Sequence, residues 1–366
     1  MSMNINSMKS LIIGNLTAKL PIIQGGMGIG VSLSRLSAAV ANQGGIGVIS
    51  AAGIGLSEPD AYSNYLAANI RVLREEIRKA RKLTKGILGV NIMVALSDFA
   101  DYVKASVEEG IDVIFSGAGL PLNLPDLLHG SKKTKLVPIV SSGRAAKIII
   151  KKWLDKYNYM PDAIVVEGPK AGGHLGFKED QIEDPAYSLD HILSDVLETV
   201  KPFELQYEKK IPVIVGGGIY TGADIYQFME LGAAGVQMGT QFVTTNECDA
   251  SEGFKNSYIE ATEEDIGIIK SPVGMPGRAI KNKFTNQVEA GDKIPFRCPY
   301  HCIVTCDHLN SPYCIALALN NAQKGKLQNG FAFAGTNAYR AHEIISVEQL
   351  TDNLKGEYNE AKENDK

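Results

Sequence analysis

The sequence has no apolar run that approaches the roughly 20 residues needed to cross a membrane. Its first ten residues are polar and lack the apolar core of a secretory signal. Positive charge is not in excess either, because 37 Lys and Arg stand against 41 Asp and Glu and give a net charge of -4. We therefore expect neither a membrane nor a nucleic acid as a partner.

Cysteine is scarce and confined to the last third of the chain, which excludes a disulfide framework. A reducing, cytoplasmic location is the default expectation. The composition is otherwise that of a globular enzyme, with 45% hydrophobic and 21% charged residues. A chain of 366 residues is long enough for one large domain plus an addition.

Eight apolar runs alternate with helical patterns in the first two-thirds of the chain. Each run is continuous rather than alternating, which is typical of parallel strands buried on both faces. Eight such units favour a (β/α)8 barrel over a doubly wound open sheet. The predicted strands are 21–24, 47–53, 88–94, 112–119, 136–142, 163–166, 211–218 and 234–240, and the predicted helices 33–42, 59–82, 99–109, 145–157 and 222–231. Ser32 and Ser34 are candidate caps of the first helix.

Glycines and polar residues follow the predicted strands, at the rim where barrel enzymes carry their active sites. Gly216, Gly217 and Gly218 end the seventh strand, and Gly239 and Thr240 end the eighth. Loops at these two positions commonly bind phosphate through backbone amides, and the threonine hydroxyl adds a donor. The alternative is that the glycines only permit tight turns.

The segment Gly26-Met27-Gly28-Ile29-Gly30 matches a dinucleotide fingerprint only weakly. We interpret it as a loop close to a flat ligand. Asn91 lies within an apolar strand, either as a satisfied core amide or as a ligand contact. His174 lies among glycines after the sixth strand, where it is either structural or a proton-transfer group.

Four cysteines, Cys298, Cys302, Cys306 and Cys314, lie within 17 residues. On a helix the first three would share one face, and four thiols can bind zinc or an iron–sulfur cluster. Their spacing differs from the usual CxxC patterns, so packing as small apolar side chains is the alternative.

The character of the chain changes after Thr240. We expect a barrel over residues 1–245, a smaller, mostly helical substrate domain with the cysteines over 246–325, and a C-terminal segment over 326–366 that returns to the barrel. The stretch 346–366 has a helical pattern.

Taken together, these motifs resemble the nitronate monooxygenase (2-nitropropane dioxygenase) family, which includes the flavin-dependent enoyl-ACP reductase II enzymes. The motifs are 24–27, the strand with Asn91, 171–176, 216–218, 237–240 and, near the C-terminus, 333–340.

The resemblance implies an FMN-binding barrel in which His174 is the catalytic histidine. It implies that Gly217, Gly218, Gly239 and Thr240 hold the FMN phosphate. The remaining flavin contacts that it implies are Gly25, Gly26, Met27, Asn91, Glu167, Gly172 and Gln237. In this chain, Lys170 replaces a frequent acidic residue, and Glu167 is the residue often found in the reductase branch.

The leading functional hypothesis is an FMN-dependent monooxygenase that oxidises alkyl nitronates with dioxygen. The alternative on the same fold is NAD(P)H-dependent reduction of an enoyl-ACP or a quinone. A flavin- or metal-binding partner subunit and a phosphate-binding isomerase are the remaining alternatives. We expect a small-molecule substrate, and a homodimer is one open arrangement.

Overall fold

The computed structural model describes residues 8–365. Residues 1–7, which carry most of the N-terminal segment predicted to lack a secretory signal, lie outside the described residues, as does residue 366. Within the described chain, no helix is both long and apolar enough to cross a membrane.

The chain forms three sheets and eleven helices in the order of the sequence. The strands are β1 (Leu11–Ile13), β2 (Leu16–Ala18), β3 (Ile22–Gln24), β4 (Ile46–Ser50), β5 (Ile87–Met93), β6 (Val113–Gly117), β7 (Lys135–Val140), β8 (Ile164–Glu167), β9 (Gly173–His174), β10 (Val213–Gly216), β11 (Gly235–Met238), β12 (Ile266–Lys270) and β13 (Pro276–Ile280). The helices are α1 (Ser34–Asn42), α2 (Tyr65–Leu83), α3 (Phe99–Glu108), α4 (Gly143–Tyr157), α5 (Leu189–Tyr207), α6 (Gly222–Glu230), α7 (Thr240–Val243), α8 (Glu252–Ile259), α9 (Lys283–Glu289), α10 (Ile315–Gln323) and α11 (Val347–Asn364).

Eight parallel strands close into a barrel in the order β3-β4-β5-β6-β7-β8-β10-β11, with β11 pairing back to β3. The predicted (β/α)8 barrel is confirmed, and its closure excludes the open sheet. Side chains alternate along each strand: Val113 and Phe115 of β6 fill the lumen, while Ile114 packs under the helices. Gly89 of β5 leaves room for the Phe115 ring, since a Cβ there would lie 2.7 Å from it.

The hairpin β1-β2 covers the amino-terminal end of the barrel and was not predicted. Leu11, Ile13 and Ala18 join the side chains of the lumen. Because this end is filled by the hairpin, the opposite end, where the strands terminate, is left open for a site.

Helix α1 is not capped by Ser32 or Ser34, contrary to expectation. Instead, a carboxylate oxygen of Asp249, more than 200 residues away, accepts from the amides of Leu33 at 2.8 Å and Leu36 at 3.2 Å. Ser32 is therefore free to use its Oγ elsewhere, and it accepts from the amide of Met27 at 2.8 Å. This contact shapes the loop after β3.

The helices largely match the predicted pattern, with two exceptions. Helix α2 begins at Tyr65 rather than at residue 59, and α5 was not predicted. The predicted C-terminal helix is α11, which packs on α6 at Gly222. A Cβ at Gly222 would lie 2.1 Å from the Leu354 carbonyl oxygen, so only glycine permits this contact.

The chain after the barrel covers its open end with α8, α9, α10 and the hairpin β12-β13. Strand β13 pairs antiparallel with the two-residue strand β9, with Gly277 opposite His174. We had expected helical or irregular structure here, so the hairpin is a difference from the prediction. The three-stranded sheet joins this cap to the loop after β8.

Candidate active site

One cavity lies between the carboxyl ends of the barrel strands and the cap, with an empty volume of about 1570 Å³ including its open mouth. The structure brings all twelve residues predicted for flavin binding and catalysis to its wall. These are Gly25, Gly26, Met27, Asn91, Glu167, Gly172, His174, Gly217, Gly218, Gln237, Gly239 and Thr240.

The end of the cavity beyond β10 and β11 presents backbone amides. Gly217 and Gly218 adopt φ of +102° and +91°, which glycine tolerates best. Within residues 8–365, the amides of Gly217, Gly218 and Gly239 donate no hydrogen bond to the protein. Unpaired donors at this place in a barrel form an anion site. The phosphate prediction therefore fits the geometry.

The C-terminal segment completes this end of the cavity. Asn337 Nδ2 donates to the carbonyl of Gly218 at 2.7 Å, and the amide of Gly335 donates to Oγ1 of Thr240 at 3.1 Å. The amide of Thr336 donates to the carbonyl of Lys170 at 3.2 Å. These contacts fix the loops after β8, β10 and β11 relative to one another.

The central part of the cavity has a narrow, flat wall. Gly26 lies against Asn91, since a Cβ at residue 26 would come within 2.3 Å of the Asn91 Cβ. The side chains of Asn91 and Gln237 point polar groups at the cavity and have no hydrogen-bond partner among the described residues. Such groups need a ligand or water to satisfy them. A planar heteroaromatic ring with several hydrogen-bonding atoms suits this wall.

Glu167 ends β8 and is the one carboxyl group on the cavity wall. Its side chain has no hydrogen-bond partner within residues 8–365. Burial raises the pKa of Glu167 to about 7, because the charged form loses hydration without gaining a partner. The group therefore changes charge close to neutral pH.

His174 projects from β9 into the cavity, where two cap residues hold its ring. Nε2 lies 2.7 Å from Oγ of Ser271, and the ring of Phe333 packs edge-on with centroids 5.0 Å apart. Burial lowers the pKa of His174 to about 4, so the imidazole is neutral at physiological pH.

Arg278 of β13 braces the loop that carries His174. Its side chain is only 3% exposed. Nη1 donates to the carbonyls of Pro169 and, at 2.9 Å, Ala171. Burial lowers the pKa of Arg278, while Glu183 at 3.7 Å partly offsets the effect. The loop between β8 and β9 is thus fixed from the cap.

Comparison with known proteins decides the family. The nitronate monooxygenase family model matches residues 9–357. The chain belongs to the nitronate monooxygenase family. It is therefore an enzyme of an oxidoreductase family.

Several relatives of the nitronate monooxygenase family resemble this chain. A probable nitronate monooxygenase of Staphylococcus saprophyticus is 26% identical, over 78% of this chain and 82% of that protein. A 5-hydroxy-7a-methyl-1-oxo-octahydro-1H-indene-4-carboxyl-CoA dehydrogenase of Mycobacterium tuberculosis is 29% identical, over 75% of this chain. The match spans 66% of that dehydrogenase, slightly less than two thirds of its length.

Two solved structures resemble the whole chain. FabK from Thermotoga maritima superposes with a TM-score of 0.72 and 27% identity over 94% of each chain. A nitroalkane oxidase from Streptomyces ansochromogenes superposes with a TM-score of 0.71 over 95% of this chain and 98% of that one. Its identity is 24%, so it supports the fold alone.

The four clustered cysteines do not lie on a helix, contrary to expectation. Cys298, Cys302 and Cys306 lie in an irregular segment, and Cys314 precedes α10. Pro295 and Pro299 oppose a helix here, because each lacks an amide donor. All four thiols are free. Within residues 8–365, no three His, Cys, Asp or Glu side chains are grouped to hold a metal ion.

Sequence reasoning missed the residues that position His174. Ser271 and Arg278 fall in the Pro- and Gly-rich stretch 271–278, which was noted without a role. Phe333 begins the C-terminal motif. A buried arginine flanked by glycine and a serine beside proline were the available signals, but only the pairing of β13 with β9 brings them to the histidine.

Proposed function

We propose that this member of the nitronate monooxygenase family is an FMN-dependent oxidoreductase. FMN, when bound, supplies the acceptor for electrons taken from the substrate. The observation that carries the proposal is the set of unpaired groups around one cavity. Free amides of Gly217, Gly218 and Gly239 suit a phosphate, while free amide side chains of Asn91 and Gln237 suit a flavin ring.

The substrate we favour is an alkyl nitronate, oxidised with dioxygen. His174 supports this choice, since a pKa of about 4 makes its imidazole a poor proton acceptor at neutral pH. A nitronate is already an anion and requires no proton abstraction. The neutral imidazole can hold such an anion by donating a ring N–H. A neutral nitroalkane would need a stronger base than this histidine provides.

The second candidate is an NAD(P)H-dependent reductase of an enoyl thioester or a quinone. An apolar extension of the cavity favours it, lined by Tyr65, Leu96, Ile303, Ile315 and Leu319. Such a wall suits an acyl chain. Similarity to FabK and to a carboxyl-CoA dehydrogenase supports a thioester substrate.

Spectroscopy of the FMN-loaded protein separates the two candidates. Under anaerobic conditions, an alkyl nitronate should bleach the flavin absorbance, and oxygen uptake should follow when air is admitted. NADH and NADPH should leave the flavin oxidised. Rapid bleaching by either nicotinamide would instead establish the reductase, and a purified protein that cannot take up FMN would refute both.

A further inference from the structure

Four of the five cysteines surround a second cavity in the cap. Cys298, Cys302, Cys306 and Cys314 line it, with an empty volume of about 760 Å³ including its open mouth. His301 and His308 also lie on its wall, with ring centroids 4.8 Å apart. The fifth cysteine, Cys248, is buried elsewhere and donates to the carbonyl of Val31 at 3.4 Å. The clustering is therefore specific to the cap.

The thiols are close enough to affect one another. Burial raises the pKa of Cys302 to about 12, and Cys314 and Cys298 add to the rise. Burial also raises the pKa of Cys314 and of Cys306, and Cys298 contributes in both cases. Four neighbouring thiolates would repel one another without a cation between them. The thiols are thus neutral until a positively charged centre binds.

Their arrangement favours several metal atoms over one. A single zinc ion needs Zn–S distances of about 2.3 Å, which places tetrahedral thiolates roughly 3.8 Å from one another. The described chain contains no three side chains grouped in that way. In an iron–sulfur cluster the thiolates bind at different corners of a larger core, so they stand further apart around a cavity. Four cysteines around an open space fit the larger core.

The segment that carries the cysteines has little other reason to be ordered. Residues 291–311 form no helix, and Pro295, Pro299 and Pro312 interrupt any regular pairing. Val304 and Leu309 are 72% and 83% exposed, so neither contributes a hydrophobic core.

Hydrogen bonds attach this segment to the barrel at a few points. The amide of Ser97 donates to the Cys302 carbonyl at 3.1 Å, and the amide of Val304 donates to Ala95 at 3.0 Å. Irregular segments of this kind are often stabilised by a metal centre.

We propose that Cys298, Cys302, Cys306 and Cys314 bind an iron–sulfur cluster in the cap. Cys302, Ile303, Ile315 and Ala316 line both this cavity and the candidate active site, so the cluster would lie directly behind the active-site wall. The proposal is independent of which substrate the flavin site takes.

Chemical analysis of protein purified without oxygen tests the proposal. Wild-type protein should contain between about two and about four iron atoms per chain with an equal amount of acid-labile sulfide. Cys302→Ser and Cys306→Ser should each lower both contents by about half or more. Cys248→Ala is the matched control, because it removes a buried cysteine outside the cluster, and should retain both. Reduction with dithionite should give a low-temperature paramagnetic signal distinct from that of the flavin.

Three outcomes would overturn the proposal. One is a folded wild-type protein that holds neither iron nor sulfide, even after anaerobic reconstitution with ferrous iron and sulfide. Another is zinc without sulfide, which would indicate a mononuclear site. The third is unchanged iron in both serine variants. Circular dichroism and FMN content report on folding, and if Cys302→Ser fails to fold, the half-buried Cys306 carries the test.

Discussion

Nε2 of His174 and Oγ of Ser271 lie 2.7 Å apart, although 97 residues separate them in the chain. The contact depends on the hairpin β12-β13, which carries Ser271 in its turn and pairs with β9. The serine also accepts from the amide of Val273 at 3.4 Å. Its own proton is therefore available to His174, which favours Nε2 as an acceptor and Nδ1 as the N–H that faces other partners.

Replacement of Ser271 by alanine should disturb this orientation of the imidazole. We expect kcat/KM to fall about tenfold, since a lost buried hydrogen bond costs about 1–1.5 kcal/mol. FMN content should not change, and Ser271→Thr should restore most of the activity. Ser106→Ala is the control, because it removes a buried hydroxyl that bonds only within α3. Equal losses in both variants would point to a general stability effect.

His174→Ala should retain FMN but lose most turnover. The side chain lies at the cavity wall and belongs to none of the groups assigned to the phosphate. We expect a loss of about 100-fold or more in kcat/KM, measured alongside flavin absorbance. His191→Ala, an exposed histidine on α5, should behave as wild type. Undiminished turnover would remove His174 from the mechanism.

Glu167→Gln should change how stability depends on pH. The native pKa of Glu167 is raised from 4.5 to about 7, so the unfolded chain loses this proton at lower pH than the folded one. The wild-type protein therefore loses stability as pH rises from about 4.5 to about 7, by on the order of 2–3 kcal/mol. The glutamine variant should escape this loss.

Thermal melts of FMN-free protein at about pH 5 and about pH 8 measure the effect of Glu167. The variant should have the higher Tm at the upper pH, and the two proteins should approach each other at the lower one. Glu179→Gln serves as a surface control. Parallel curves for wild type and Glu167→Gln would contradict the prediction.

Gly218→Ala should weaken FMN binding. Its φ of +91° disfavours a side chain, and a Cβ there would lie 2.9 Å from the Cβ of Lys170. We expect the Kd for FMN to rise about tenfold or more, because displacement of 1–2 kcal/mol is enough. Gly130→Ala has a similar φ of +84° but open space around it, so it isolates the backbone effect. Fluorescence titration of apoprotein with FMN would show no difference between the two if Gly218 had no role.

The barrel was predictable because each strand is a continuous apolar run that ends in glycine or a polar residue. The positions of Asn91, Glu167 and Gln237 follow from that pattern, since strand ends meet at one rim. Contacts between distant segments were not predictable. The cap of α1 by Asp249 replaced the adjacent serines because a charged acceptor from another loop satisfies two amides at once.

The cap gave weaker signals for a similar reason. Residues 271–277 are rich in proline and glycine, which obscured a hairpin whose turn they form. The helix expected over the first three cysteines is wrong because prolines and β-branched residues dominate the segment.

The antiparallel pairing of Gly277 with His174 has a consequence for how the family can diversify. The histidine is held by the barrel at one end of its loop and by β13, Ser271 and Arg278 at the other. Exchange of residues 246–325 for those of a relative would replace both the substrate's enclosure and the histidine's hydrogen-bond partner in a single recombination. Substrate range and proton handling are therefore inherited together, on one exchangeable stretch of chain, while the phosphate-binding barrel stays constant.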